Sequence, residues 1–345
     1  MTERVTHRSL QESALARIQG NLQRIGLLQD QISSGKKITK PSDDPSGTVS
    51  SLALRQQLRL NDMYQTQADD GTSWLNAQDT ALQTTSHLLT AARTDVVAAL
   101  NAGFQNDGSR TATAVDIDGI RSSILALANS QYMGRNLFAG TAGGAAVTAT
   151  AASVTTPPPT GSPAGTPPTY TPAVYTWSAT GPTAADDSPV QRQIDAQSFV
   201  RVDTNGAQIF GTDTAANGQT AGQSVFSLLQ QISDELKSPK STGTTTDPAT
   251  GTPGTCLPDL LTKLDGAISK VLTGLADVGA RTNRLQRAQE VATSSKYDLT
   301  DQLSKVEDVD LPSSMIQMSL QDTAYKAALQ VTSKVLNTSL MDFLR

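Results

Sequence analysis

The sequence predicts a mainly α protein: an elongated helical rod with terminal coiled-coil helices from both chain ends and a small inserted β-containing domain. Three observations predict this. Apolar residues recur three or four positions apart near both ends of the chain, the spacing of one helix face. Aromatic residues are only 4% of the 345, so cores must be built from Leu, Ile, Val and Ala, which suits helix bundles. The middle is different: nine of the sixteen prolines fall between Pro157 and Pro189, and 136–185 carries no charged residue.

The first helix shows Leu15, Ile18, Leu22, Ile25, Leu28 and Ile32 along one stripe, and Gly35 ends it. The loop Lys40-Pro41-Ser42-Asp43-Asp44-Pro45 follows, whose prolines forbid continuation. Asp43 or Asp44 is placed to cap the next helix, with Pro45 in its first turn. A second helical region starts near Ser46, with Val49, Leu52, Leu58, Trp74, Leu75, Leu82, Leu89, Val96 and Leu100. Asp69-Asp70-Gly71 within it reads as a break or a kink. A third helix is expected over Thr111 to Tyr132 on the set Val115, Ile117, Ile120, Ile124 and Leu127.

From Leu261 a heptad seam runs through Leu264, Ile268, Val271, Leu275, Val278, Leu285, Ala292, Leu299, Leu303 and Val306, interrupted at Thr282, Gln289 and Lys296. As one helix it would measure about 70 Å. Asp310-Leu311-Pro312-Ser313 breaks it. The last helix carries two stripes, Leu320, Ala324, Ala327, Val331 and Val335, and Tyr325, Leu329, Leu336 and Phe343. Two stripes on one helix imply more than one neighbour.

In the middle, 148–168 is Ala/Thr/Pro low complexity, expected to be a flexible insertion. Short strands are expected over Tyr170 to Trp177 and Val190 to Phe210, with Asn205-Gly206 as a two-residue hairpin turn. Ser238 to Pro258 reads as a linker. The expected domains are 1–45 with 307–345 for assembly, 46–140 with 220–306 as the helical rod, and 141–219 as the β-rich, low-complexity outer domain.

An isolated helix such as the first is marginal in water. The stripe Leu15, Ile18, Leu22, Ile25, Leu28 and Ile32 therefore needs cover, and so do Leu320, Ala327, Leu329, Val331, Leu336 and Phe343 of the last helix. The pattern suits subunit interfaces in a homo-oligomer, and equally a bundle closed within one molecule.

Other function classes find little support. A net charge of −5 argues against a nucleic-acid partner. No run of about 18 apolar residues suggests a membrane span. Residues 1–10 hold Glu3, Arg4, His7 and Arg8 without an apolar core, so a cleaved secretory signal is not expected. Gly35-Lys36 lacks the glycine a phosphate loop would need at Asp30, and Asp116-Ile117-Asp118-Gly119 lacks calcium ligands at Ala114 and Leu125. His7, His87 and Cys256 cannot fill a four-ligand zinc site. Neither histidine suggests a catalytic triad, and Asn337-Thr338-Ser339 is a glycosylation sequon inside a helix. No catalytic residue, cofactor or metal is expected.

Several stretches together resemble one family. They are Gln31-Ile32-Ser33-Ser34-Gly35-Lys36-Lys37 with Pro41-Ser42-Asp43-Asp44-Pro45, then Gly279-Ala280-Arg281-Thr282-Asn283-Arg284-Leu285, then Val306-Glu307-Asp308-Val309-Asp310 and the ending Ser339-Leu340-Met341-Asp342-Phe343-Leu344. These resemble the flagellin superfamily of flagellins and hook-associated proteins over 1–140 and 220–345. The Asp-Phe-Leu ending and Gly134-Arg135-Asn136-Leu137-Phe138-Ala139-Gly140 look more like the members that join hook to filament than like the filament subunit. The resemblance implies a non-enzymatic structural subunit of the bacterial flagellum. It implies export as an unfolded chain by the flagellar type III apparatus, to an extracellular place. Implied partners are copies of itself in a ring, a hook-side hook-associated protein, flagellin, and an export chaperone on the last helix around Leu329, Leu336 and Leu340. The alternatives are a flagellin, or a secreted rod-like adhesin or effector.

Overall fold

The computed structural model describes residues 2–100, 107–140, 145–150, 153–155, 169–171, 173–177, 189–213, 223–237 and 257–343. The elements are α1 (Thr2–Ser34), α2 (Pro45–Leu100), α3 (Asp107–Ala128), β1 (Gln131–Tyr132), β2 (Arg135–Asn136), β3 (Val147–Thr150), β4 (Ser153–Thr155), β5 (Thr169–Thr171), β6 (Val174–Trp177), β7 (Gln191–Gln193), β8 (Phe199–Arg201), α4 (Gly206–Phe210), α5 (Val225–Lys237), α6 (Leu257–Glu307) and α7 (Leu311–Phe343). Long helices come from both chain ends. The strands form two-stranded antiparallel pairs, β1 with β2, β3 with β6, β4 with β5 and β7 with β8.

Two compact units divide the chain. One joins Met1–Met63 to Ala292–Arg345, and the other is Tyr64–Val291. The second unit holds the core. Leu75, Leu82, Leu89 and Val96 repeat every heptad along α2, and Leu264, Val271, Val278 and Leu285 do so along α6, and all eight are buried. The other register of the α6 seam, Leu261, Ile268 and Leu275, packs half-buried against this core. Where polar residues interrupt the seam they find partners: Gln289 Nε2 donates to Asp69 Oδ1 at 2.7 Å, and Thr282 Oγ1 to the Val278 carbonyl at 3.0 Å. Arg93 pairs with Asp265 at 2.6 Å. A second layer is α3 on α5, with Ile117 and Ile124 of α3 and Leu229 and Ile232 of α5 all buried, and Lys237 meeting Asp118 at 2.6 Å.

The sequence at Asp69-Asp70-Gly71 does not break α2, which runs unbroken across it. Gly71 is buried in close packing, where a Cβ would lie 3.0 Å from Leu285 Cδ1 and 3.1 Å from Val202 Cγ1. The two aspartates are satisfied by Gln289 and by Arg192, the latter at 2.7 Å. In α3, Val115 is exposed although it falls in the apolar set.

Two expectations about the middle need correction. Asn205-Gly206 is not a hairpin turn: Asn205 caps α4, its Oδ1 accepting from the Ala207 N–H at 2.9 Å. The hairpin is β7–β8, closed earlier by a loop through Asp195. The stretch 148–168 is not without structure throughout, because the end of β3 and all of β4 lie in it, while 156–168 lies outside the described residues. Thr148 and Thr176 pair across β3–β6 through their hydroxyls at 2.9 Å. This hairpin carries Tyr175 and Trp177 onto Phe210 and Phe226. The Ser238–Pro258 linker and Cys256 fall almost wholly outside the described residues, although α6 already begins at Leu257.

Candidate assembly interface

In the first unit α1 and α7 pack as a pair. They run in opposite directions, because a β-bridge between Lys36 and Asp308 joins the end of α1 to the start of α7 while Gln321 Nε2 donates to Asn21 Oδ1 at 3.1 Å further out. The α1 face against α7 uses Ile18, Ile25, Leu28 and Ile32, all half-buried. The answering α7 face is Met318, Gln321, Tyr325, Ala328 and Thr332.

Leu15 and Leu22, expected on the same stripe, are exposed at 58% and 48%. The aliphatic stripe of α7 turns outward: Leu320 is 66% exposed and Val331 62%, with Ala324 and Ala327 also exposed. Leu329 is exposed as well. The side chains of Leu336, Leu340 and Phe343 lie outside the described residues. Leu27, Leu311, Met315 and Ile316, which the sequence reading did not single out, extend the outward apolar surface. Among the described residues of this unit, the buried apolar side chains reduce to Ala292. Two helices can cover only one stripe each, so helices apolar on two faces leave one of them open.

Beside this surface the chain ties a knot. The Lys37 N–H donates to the Glu307 carbonyl at 2.6 Å, and the Val309 N–H to the Gly35 carbonyl at 3.1 Å. Gly35 sits at φ +70, the left-handed conformation that ends α1. Glu307 is buried. Arg55 Nε donates to its Oε1 at 2.8 Å and Arg55 Nη2 to its Oε2 at 2.6 Å, while Lys36 Nζ reaches Oε2 at 2.8 Å. The bidentate Arg55 contact above all, with Lys36 second, outweighs burial and holds the Glu307 carboxyl at about 2. Periodicity could not reveal Glu307 or Arg55, since both stand outside the apolar stripes.

The loop before α2 folds as its residues dictate. Asp44 is the cap: its Oδ1 accepts from the Gly47 N–H at 2.9 Å and the Ser46 hydroxyl at 2.8 Å. Asp43 instead closes the preceding turn, Oδ2 accepting from the Lys40 N–H at 2.9 Å and the Thr39 hydroxyl at 2.9 Å. These donors, the backbone N–H first in each case, lower both carboxyls below their ordinary value.

In the second unit the remaining motifs serve packing. Met133 at φ 51 and Gly134 at φ 77 form the tight β1–β2 turn. Leu137 and Phe138 then enter the core, and the Leu137 carbonyl accepts from buried Gln78 Nε2 at 2.7 Å. Arg281 Nη1 donates to the Asp203 carbonyl at 2.8 Å, which ties α6 to the segment between β8 and α4. No group of His, Cys, Asp and Glu suited to a metal occurs among the described residues, and no described helix is long and apolar enough to cross a membrane.

Residues 5–143 match the bacterial flagellin N-terminal helical region, and residues 261–344 match the bacterial flagellin C-terminal helical region. The chain belongs to the flagellin family. Its flagellin-family helical regions are thus α1 to α3 and α6 to α7, which include both the outward stripes and the knot. Among curated relatives, flagellar hook-associated protein 3 of Escherichia coli K12 is 24% identical over 318 residues, 90% of each chain. A flagellin of Bacillus subtilis is 24% identical over 338 residues, 94% of this chain and 93% of the flagellin. The crystal structure of flagellar hook-associated protein 3 from Legionella pneumophila superposes with a TM-score of 0.53 at 15% identity, over 74% of this chain and 98% of that one, and so shares the fold.

Proposed function

We propose that this chain is a structural subunit of the bacterial flagellum that joins hook to filament. The observation that carries this reading is the outward apolar surface on the paired terminal helices, in a flagellin-family chain that matches hook-associated protein 3 over 90% of each chain. In this reading 1–45 and 307–345 form the assembly domain. Copies of the chain close a ring through Leu15, Leu22, Leu320, Ala327 and Val331, with a hook-side hook-associated protein below and flagellin above. Leu329, Leu336 and Leu340 face an export chaperone before assembly, and export runs through the flagellar type III apparatus to the cell exterior. The protein's task is mechanical, and no step of it calls for a reacting group.

The flagellin reading has one observation in its favour, the match to the Bacillus subtilis flagellin along nearly the whole chain. Electron microscopy of a deletion strain separates the two. A junction subunit is needed once, as the surface on which filament growth starts. Its loss should leave hooks without filaments and release flagellin monomers into the medium. Long filaments on the deletion strain would overturn the junction reading, and bare hooks with no flagellin outside would favour the filament reading.

A further inference from the structure

We propose that Glu307 is the keystone of a latch that sets the register of α1 against α7 and so decides which apolar residues face outward. The latch lies within the single chain and serves it alike at the junction or along the filament.

Antiparallel helices with apolar residues on two faces can pair in several registers of similar energy. Here α1 presents Leu15, Leu22 and Leu27 besides its inward set, and α7 presents Ile316, Leu320 and Val331 besides its own. The inward contacts are half-buried throughout, so they discriminate weakly among registers. Among the described residues, Gln321 Nε2 donates to Asn21 Oδ1 across the pair. The strong contacts stand at the shared end of the two helices. There the main chains exchange Lys37 N–H to Glu307 carbonyl and Val309 N–H to Gly35 carbonyl. Glu307 lies between them, its carboxylate held by Lys36 on the α1 side and by the Arg55 fork on α2. Removing one partner of a buried ion cluster leaves the rest uncompensated. The register follows from this pin: Asn21 lies fifteen residues before Lys36, and Gln321 thirteen after Asp308. The latch joins two of the sequence stretches that carry the family resemblance, Gly35-Lys36-Lys37 and Val306-Glu307-Asp308, and gives both a physical task.

Disulfide trapping on the full chain tests this. In a Cys256→Ser background, Asn21→Cys with Gln321→Cys reports the native register, since those side chains already touch. Trapping by oxidised glutathione should be rapid. Adding Glu307→Gln should slow it about five- to tenfold, and exchange of the Lys37 and Val309 amides should quicken with it. Arg55→Lys keeps the charge and loses the fork, so it should fall between. Lys305→Gln, which breaks only an exposed pair with Asp301, should change neither readout. Fluorescence of Trp74 and Trp177, both in the second unit, should stay native in every variant. Wild-type trapping and amide protection in both Glu307→Gln and Arg55→Lys would overturn the proposal. So would an equal slowing by Lys305→Gln.

Discussion

The two units use the same helices to opposite ends. In the second unit, α2 and α6 close on each other, and their heptad leucines and valines reach zero exposure. In the first unit, the same two helices continue, yet Val49, Leu52 and Leu60 of α2 and Tyr297 of α6 are exposed, as is the outer stripe of α7. The difference is the number of layers. The second unit adds α3, α5 and the short strands around the buried heptad faces of α2 and α6, although Val115, Met133 and Phe199 stay exposed there. The first has a single helix pair beside the ends of α2 and α6. Contiguous exposed apolar surface is commonly a site of interaction. Buried apolar packing is therefore concentrated in one unit, and outward aliphatic stripes in the other.

The comparison breaks most visibly under truncation of matched leucines. Leu82→Ala in the second unit should cost about 2–5 kcal/mol, the range for a fully buried leucine that leaves a cavity. Leu320→Ala should cost less than about 0.5 kcal/mol in the free chain, as exposed substitutions do. Assembly should show the reverse order, with Leu320→Ala abolishing incorporation into the flagellum. Chemical denaturation and microscopy of complemented cells read the two effects. Equal destabilisation by both substitutions would erase the distinction between the units.

A smaller effect sharpens the picture of the second unit. A Cβ on Gly206 would lie 2.1 Å from Trp177 Cζ3 and 3.0 Å from Phe138 Cβ. Trp177 cannot swing away freely, because it stacks on Phe210 and its Nε1 donates to the Gly211 carbonyl at 2.8 Å. Gly206→Ala should cost about 1–3 kcal/mol by overpacking. The readout is a loss of Trp177 environment in near-ultraviolet dichroism, with the helical signal kept.

The contrast between units explains what the sequence could show. The α6 seam was legible because a core that is closed on itself punishes any departure from the heptad, and Leu264, Val271, Val278 and Leu285 never depart. The terminal helices were legible as helices and as carriers of two stripes. Which stripe turns inward was not, since Tyr325 and Leu320 look alike to periodicity and only the position of α1 separates them. Asn205-Gly206 misled because a short polar side chain serves a helix cap as well as a turn. Asp69-Asp70-Gly71 misled because a break signal and a close-packing glycine are written with the same letters. Glu307 and Arg55 were invisible for another reason: a buried ion pair has no period, and its partners lie far apart in sequence.

The smallest effect concerns that ion cluster, and its sign follows from the carboxyl. Glu307 ionises at about 2 in the folded chain against an ordinary 4.5. A depressed carboxyl contributes stability that is complete above its unfolded value and lost as pH falls through the folded one. The contribution should thus be constant from neutrality down to about pH 5 and fade between 4.5 and about 2. Its size should be about 1–2 kcal/mol, since Lys36 and Arg55 are close to half exposed and water screens them. Hydrogen exchange at the Lys37 and Val309 amides, followed from pH 5 to 2.5 and corrected for intrinsic rates, should show the knot opening in that window. Glu307→Gln should be open already at pH 5 and flat below it. Amides of Leu75 and Leu82 should not respond to this titration, because no group of the knot belongs to their unit. A wild-type knot that opens only together with those core amides would mean that the two units do not divide stability as their packing indicates.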